Sequence, residues 1–260
     1  MEVIILESAQ AASELAARLV ARRVRELPEC TLGLATGGTP KALYAELIRM
    51  HQDEDLDFKR VTTFNLDEYL GIPGDHPGSY RREMQVGLFD HLNIPSDRTH
   101  LLDGSTHDPI AECAAFENRI QRAGGIDLQL LGIGGDGHIG FNEPTSSLAS
   151  RTRIKTLTRE TRLSHAGHFG GEANVPPHVL TMGIGTILEA EEQVLLAFGE
   201  SKADAIAATV EGPVTAYVPA SCLQMHKNVR IFLDEGAASK LKRARYYRET
   251  YAGKPDWQRV

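Results

Sequence analysis

Leu130-Leu131-Gly132-Ile133-Gly134-Gly135-Asp136-Gly137-His138-Ile139-Gly140-Phe141-Asn142-Glu143-Pro144 is the stretch on which the reading of this 260-residue chain turns. Ile126 to Ile133 is rich in Ile and Leu and reads as a buried strand. The strand breaks into glycines at Gly132, Gly134, Gly135, Gly137 and Gly140, residues that allow backbone to approach a ligand closely. Among and beyond them stand Asp136, His138 and Glu143. Open α/β sheets bind ligands in loops at the carboxyl ends of their strands. A tight turn with solvated side chains is the competing reading, but an acid, an imidazole and a second acid held together by glycines favour a site.

Outward from this stretch, strands alternate with helices. Val3 to Leu6 is a short apolar strand, and Ser8 can cap a helix with Ala12, Leu15, Ala16, Leu19 and Val20 at helical spacing. Thr31 to Ala35 is a strand that ends in Thr36-Gly37-Gly38-Thr39-Pro40, and a helix runs on to about Met50. Val61 to Leu66 delivers Asp67-Glu68-Tyr69 into a loop broken by Gly71, Pro73, Gly74, Pro77 and Gly78. Helices are expected over Ser79 to His91, Pro109 to Arg122, Ser201 to Glu211 and Ala237 to Tyr251. Arg151 to Leu157, Gln193 to Phe198 and Val229 to Leu233 read as strands. The segment 158–180 has few periodic apolar residues and is expected to be a mobile lid. This alternation predicts a single-domain α/β protein with an open, mainly parallel, Rossmann-like sheet and helices on both faces.

The formal net charge of −7 argues against a nucleic-acid binder, which needs a basic face. The start of the chain lacks a basic n-region, and no apolar run reaches membrane-span length. Cys30, Cys113 and Cys222 are far apart and lack metal-ligand spacing, which suits buried thiols in a reducing cytoplasm.

Thr36-Gly37-Gly38-Thr39 follows a strand and opens a helix, so its N–H groups and hydroxyls suit an anion, although a plain strand–helix turn has the same shape. It has neither P-loop nor dinucleotide-fingerprint spacing. Asp67 is either part of a solvated acidic loop or a general base facing the glycine loop. Lys202 is either simply exposed at a helix start or turned into a cleft against phosphate. Arg151, Arg153 and Lys155 share one face if the strand alternates, and with Ser146 and Ser147 they make either a second anion site or a solvated edge.

Leu34 to Pro40, Thr63 to Tyr69, Gly134 to Pro144, Ser146 to Thr156, Leu180 to Ile187 and Ser221 to Gln224 together resemble the glucosamine-6-phosphate deaminase family over nearly the whole chain. The resemblance implies conversion of glucosamine 6-phosphate to fructose 6-phosphate and ammonia, in amino-sugar catabolism, with no metal or organic cofactor. It assigns ring opening to His138, tuned by Asp136 and Glu143, and proton transfer from C2 to C1 to Asp67. It maps phosphate binding onto Thr36, Gly37, Gly38, Thr39 and Lys202. Some members are hexamers activated by N-acetylglucosamine 6-phosphate, and the residues of that second site resemble Ser146, Arg153, Lys155 and Thr156, with Tyr246 as a counterpart near the C-terminus. One departure stands out: where the family's lid carries an arginine, this chain has Gly167, with His165 and His168 nearby. The competing readings are 6-phosphogluconolactonase, against which Asn65 to Tyr69 and Phe141 to Pro144 speak, and a non-catalytic sugar-phosphate-binding regulator of the same fold.

Overall fold

The computed structural model describes residues 1–255 and 258. Ten strands and nine α-helices follow one another among these residues: β1 (Glu2–Leu6), α1 (Ala9–Glu26), β2 (Thr31–Leu34), α2 (Lys41–Asp53), β3 (Thr62–Asn65), β4 (Asp67–Tyr69), α3 (Tyr80–Gly87), β5 (Thr99–His100), α4 (Pro109–Arg122), β6 (Leu128–Leu131), β7 (Arg153–Thr156), α5 (Arg159–Phe169), β8 (His178–Thr181), α6 (Ile184–Leu188), β9 (Glu192–Ala197), α7 (Ala203–Glu211), β10 (Val229–Asp234), α8 (Glu235–Ala238) and α9 (Ala244–Ala252). Local sequence explains the boundaries. Ser8 accepts a hydrogen bond from Ala11 N and caps α1, and Asp108 caps α4 with Pro109 at its first position.

Seven strands form one parallel sheet in the order β1-β10-β9-β6-β2-β3-β5. Successive side chains of a strand point to opposite faces, and here both faces are covered. Val194 and Leu196 of β9 pack with α1 and α2, whereas Leu195 and Ala197 pack into the core on the other side. Each fully buried Val or Leu side chain among these contributes about 1.5–3 kcal/mol.

Chain order runs from β2 through β3 to β5 in one direction, and from β6 through β9 to β10 in the other. The order therefore reverses between β2 and β6. A crevice opens at such a switch point, flanked by the loops that leave the two strands. Those loops are Thr36 to Pro40 and the glycine-rich stretch beginning at Gly132.

The structure departs from the sequence expectations in four places. A second, antiparallel sheet of three strands, β4-β8-β7, contributes Asp67 to the crevice, and two of its strands were not anticipated. Asp67-Glu68-Tyr69 is strand and fully buried, a state that two acids in sequence conceal. The lid segment begins as an eleven-residue helix, α5; only Thr161 and Phe169 of it are buried, so it carries no apolar stripe. The last helix is broken into α8 and α9, because Leu241 turns inward and the Glu211 carboxylate accepts the N–H groups of Lys242 and Arg243. Among the described residues, no helix is long and apolar enough to cross a membrane.

Candidate active site

The switch-point crevice holds a cavity of about 360 Å³. Its walls include Thr36 to Thr39 from the loop after β2, Asp67 from β4, Gly132 to Gly135 and His138 from the loop after β6, and Lys202 at the start of α7. Residues far apart in sequence therefore meet because their strand ends are neighbours. Tyr80 and the lid residues Ser164, His165 and His168 close the remaining side.

The imidazole of His138 is held on both sides. Its Nδ1 lies 2.6 Å from Asp136 Oδ1, which also accepts the His138 backbone N–H at 3.1 Å. A Cβ at Gly134 would stand 2.2 Å from the ring, so the close packing there requires glycine. Gly137 supplies φ +85° for the turn that brings the chain back. Burial pushes the Asp136 carboxyl up, but its hydrogen bond to His138 and the imidazole's charge outweigh this and hold it below its ordinary value. An ionised Asp136 fixes the proton on Nδ1 and leaves Nε2 for a substrate.

Asp67 is 6% exposed, and Thr36 Oγ1 stands 3.5 Å from its Oδ1. Burial raises its carboxyl to about 8, with the charge of Glu68 adding and the Thr36 hydroxyl opposing. A carboxyl tuned toward neutrality can both take and return a proton. Glu68 itself turns away: it accepts hydrogen bonds from Tyr69 N, Ser79 Oγ, Tyr80 N and Arg81 N, and so fastens the start of α3. Burial pulls the Lys202 ammonium down, and the charge of Asp136 opposes this. The loop after β2 is fixed at its base by Tyr44, whose hydroxyl donates to Ala35 O at 2.6 Å. Gly37 adopts φ +91° in the loop.

Glu143 is buried and turns one carboxylate oxygen toward the lid segment. Its Oε1 accepts from Thr158 N and Oγ1 and from the Thr161 hydroxyl, and it does not line the cavity. Through this oxygen it clasps the root of α5. The cation cluster differs from the sequence expectation. Arg151 lies outside β7 and is matched by Glu117 and Glu189, each at 2.6 Å, so it adds no unneutralised charge to the face of Arg153 and Lys155. Arg153 donates to Asn142 Oδ1 at 2.9 Å, one residue from Glu143. Ser146 is buried, Lys155 half-buried and Thr156 exposed. Tyr246 is exposed on α9 in a separate cavity beside β1, so the chain does not bring it to the group around β7.

Sequence reasoning missed Tyr69 and Tyr80 as parts of the site. The Tyr69 hydroxyl is hydrogen-bonded to His165 Nδ1 and packs edge-on against Phe169, 4.8 Å between ring centres. The signal was present as Tyr-rich flanks of the Asp67 and Ser79 stretches, but only the fold shows that they face one another. His165 is held neutral: burial, and then the charges of His138 and His168, bring it to about 4.

The family described as glucosamine-6-phosphate isomerases/6-phosphogluconolactonase matches residues 6–232. A glucosamine-6-phosphate deaminase of Streptomyces avermitilis is 52% identical over 261 residues, covering 100% of both chains. One from Cellvibrio japonicus is 53% identical over 248 residues, 95% of this chain and 94% of that one. A solved structure, described as a monomeric glucosamine-6-phosphate deaminase, is 43% identical with a TM-score of 0.91, covering 92% of this chain and 100% of that one. The 6-phosphogluconolactonase of Trypanosoma cruzi, 21% identical with a TM-score of 0.75 over 93% of this chain and 97% of that one, shares the fold.

Proposed function

The chain belongs to the glucosamine-6-phosphate isomerase/6-phosphogluconolactonase family, and within it we propose that the chain is a deaminase, converting glucosamine 6-phosphate and water into fructose 6-phosphate and ammonia. One observation carries this reading. Asp67 and the Asp136–His138 pair share a single cavity with the loop Thr36 to Thr39 and with Lys202. A sugar phosphate anchored at the loop would present its other end to an acid and a base.

The chemistry follows from that placement. His138 Nε2 takes the proton of the C1 hydroxyl and delivers it to the ring oxygen as the bond from C1 to that oxygen breaks, and the pyranose opens to the aldehyde. Asp67 removes the proton from C2 as O1 takes up the proton that the C2 ammonium gives up, which leaves an enol across C1 and C2. Asp67 then returns its proton to C1 as the nitrogen lone pair closes the C2–N double bond. The resulting C2 imine adds water and expels ammonia, leaving the C2 ketone. Substrate itself helps the base, because an ammonium on C2 beside Asp67 favours the ionised carboxylate that burial disfavours.

At the lid, where the resemblance leads one to expect an arginine, the chain has Gly167, and His165 and His168 reach the cavity. A neutral His165 whose Nδ1 accepts from Tyr69 keeps its Nε2–H to donate to phosphate, but without the charge or the fork of a guanidinium. The chain accordingly binds phosphate through Lys202, the loop and the His165 Nε2–H of the lid.

The group Ser146, Arg153, Lys155 and Thr156 is a regulatory site for N-acetylglucosamine 6-phosphate in a homo-oligomer, hexamers included, with Tyr246 supplied by another copy. The Arg153–Asn142 hydrogen bond, which links that strand to the catalytic loop, supports this. Hyperbolic kinetics indifferent to the acetylated sugar phosphate would reject it. Free, buried Cys30, Cys113 and Cys222 support a cytoplasmic setting. The deciding assay incubates the protein with glucosamine 6-phosphate and measures ammonia and fructose 6-phosphate. Release of neither, with hydrolysis of 6-phosphogluconolactone instead, would overturn the assignment.

A further inference from the structure

One carboxylate near the cavity is not used by the chemistry above. Glu83 lies in the first turn of α3, and its Oε1 accepts the backbone N–H of Gly37 at 3.1 Å. The same Oε1 lies 3.8 Å from Lys41 Nζ at the start of α2. Glu83 does not line the catalytic cavity; it lines the neighbouring one, where Lys41 and Tyr44 also stand. It therefore reaches the loop from behind, and one of the loop's N–H groups is already engaged by the protein itself.

That contact closes a ring. Asp67 and Glu68 are consecutive on β4, and Glu68 fastens the first turn of α3 through Ser79 Oγ, Tyr80 N and Arg81 N. In that same turn, Glu83 holds Gly37. The next link is Thr36, whose hydroxyl points back to Asp67 Oδ1 at 3.5 Å. Base, helix and anion loop are thus tied in a closed circuit. A glutamate in a first helical turn is ordinary, since it suits the helix dipole. Such a role, however, needs no partner across the chain and no contact with a glycine at φ +91°.

We propose that Glu83 is a positioning residue for the reaction: it fixes the Gly37 peptide so that the Gly38 and Thr39 N–H groups and the threonine hydroxyls face the substrate phosphate, in register with Asp67. The proposal rests on the deaminase reading for its substrate, but not for its geometry. It implies that the phosphate does not use the Gly37 N–H.

Two substitutions separate the hydrogen bond from the charge. Glu83→Gln keeps an acceptor for Gly37, and Glu83→Ala removes it. In hydrogen exchange of the ligand-free proteins, the peptide spanning 34–40 is expected to lose protection in Glu83→Ala and to keep it in Glu83→Gln. In turnover of glucosamine 6-phosphate, Glu83→Ala is expected to raise KM roughly tenfold, as loss of a hydrogen bond to a charged group does. Its kcat should fall much less, and the KM of Glu83→Gln should stay within about twofold of wild type. Unchanged exchange in Glu83→Ala, or equal damage from both substitutions, overturns the proposal. Absence of ammonia release by the wild-type protein would instead overturn the functional reading, and the exchange measurement would still decide this one.

Discussion

Asp67→Asn is expected to abolish ammonia release and, at the same time, to make the folded protein more stable. The carboxyl titrates at 3.8 in an ordinary setting and at about 8 in the fold, because burial and Glu68 disfavour its charge. A raised folded value means that the group's contribution to stability is complete below pH 3.8 and is lost as pH rises toward 8. Each pH step in that window costs about 1.4 kcal/mol. From 3.8 to pH 7 the loss reaches 3.2 steps, or about 4 kcal/mol as a ceiling. Water entering the open crevice screens part of this, so about 2 kcal/mol is the working figure. Asparagine has nearly the same shape and carries no charge. It also loses little by the exchange, since the Thr36 contact at 3.5 Å is a weak hydrogen bond. For a chain of this size 1 kcal/mol moves Tm by about 2–4 °C, so the variant should melt about 4–8 °C above wild type at pH 7. Scanning calorimetry of both proteins between pH 4.5 and 8 makes the test, because titrations common to the two cancel in the difference. The gap should be smallest at the acid end and widen steadily with pH. A gap that does not change with pH, or a variant less stable at pH 7, would refute the argument that Asp67 is held against its charge.

Gly167 of α5 is exposed, and a Cβ there would meet nothing within 4 Å. Gly167→Arg should therefore be accommodated, stabilise the helix by about 0.5–1 kcal/mol and lower KM for glucosamine 6-phosphate, which steady-state kinetics would show. His165→Ala should raise KM by a factor that stays constant between pH 6 and 8, since an imidazole brought to about 4 does not change charge there; a factor that grows on acidification would contradict this. Asp136→Asn keeps an acceptor beside His138 but removes the charge that fixes its tautomer, and kcat should fall by roughly a hundredfold while KM changes little. A ring-opened substrate, supplied as an acyclic analogue, should lose less.

The parallel sheet was legible because β2, β6, β9 and β10 are short apolar runs between glycine and helix signals. The catalytic loop was legible because glycines have no reason to interleave with Asp136 and His138 unless backbone must pass closely there. What stayed hidden was whatever depends on partners distant in sequence. β4 consists of two acids and a tyrosine, and only its pairing with β8 and its burial under the lid make it a strand. α5 is polar nearly all round, so periodicity could not reveal it; its Thr158 cap and the left-handed Gly170 at its end define it. Glu143 could be found in the sequence, but its orientation could not, because the threonines it binds lie 15 and 18 positions further on.

The clasp between Glu143 and α5 has a mechanical meaning. At its root the helix is held by directional bonds from Thr158 and Thr161 to a buried carboxylate. At its tip Phe169 is held by ring contacts with Tyr69 and His76 and by packing on Gly78. Directional bonds break abruptly, whereas ring contacts slide. α5 is thus a lever with a pinned fulcrum and a free-gliding end. Eleven residues span about 16 Å, so a tilt of about 20° at the root displaces the tip by about 6 Å. If α5 swings, the doorway would therefore open on the side of Phe169, while the pivot stays fastened to the loop that carries Glu143.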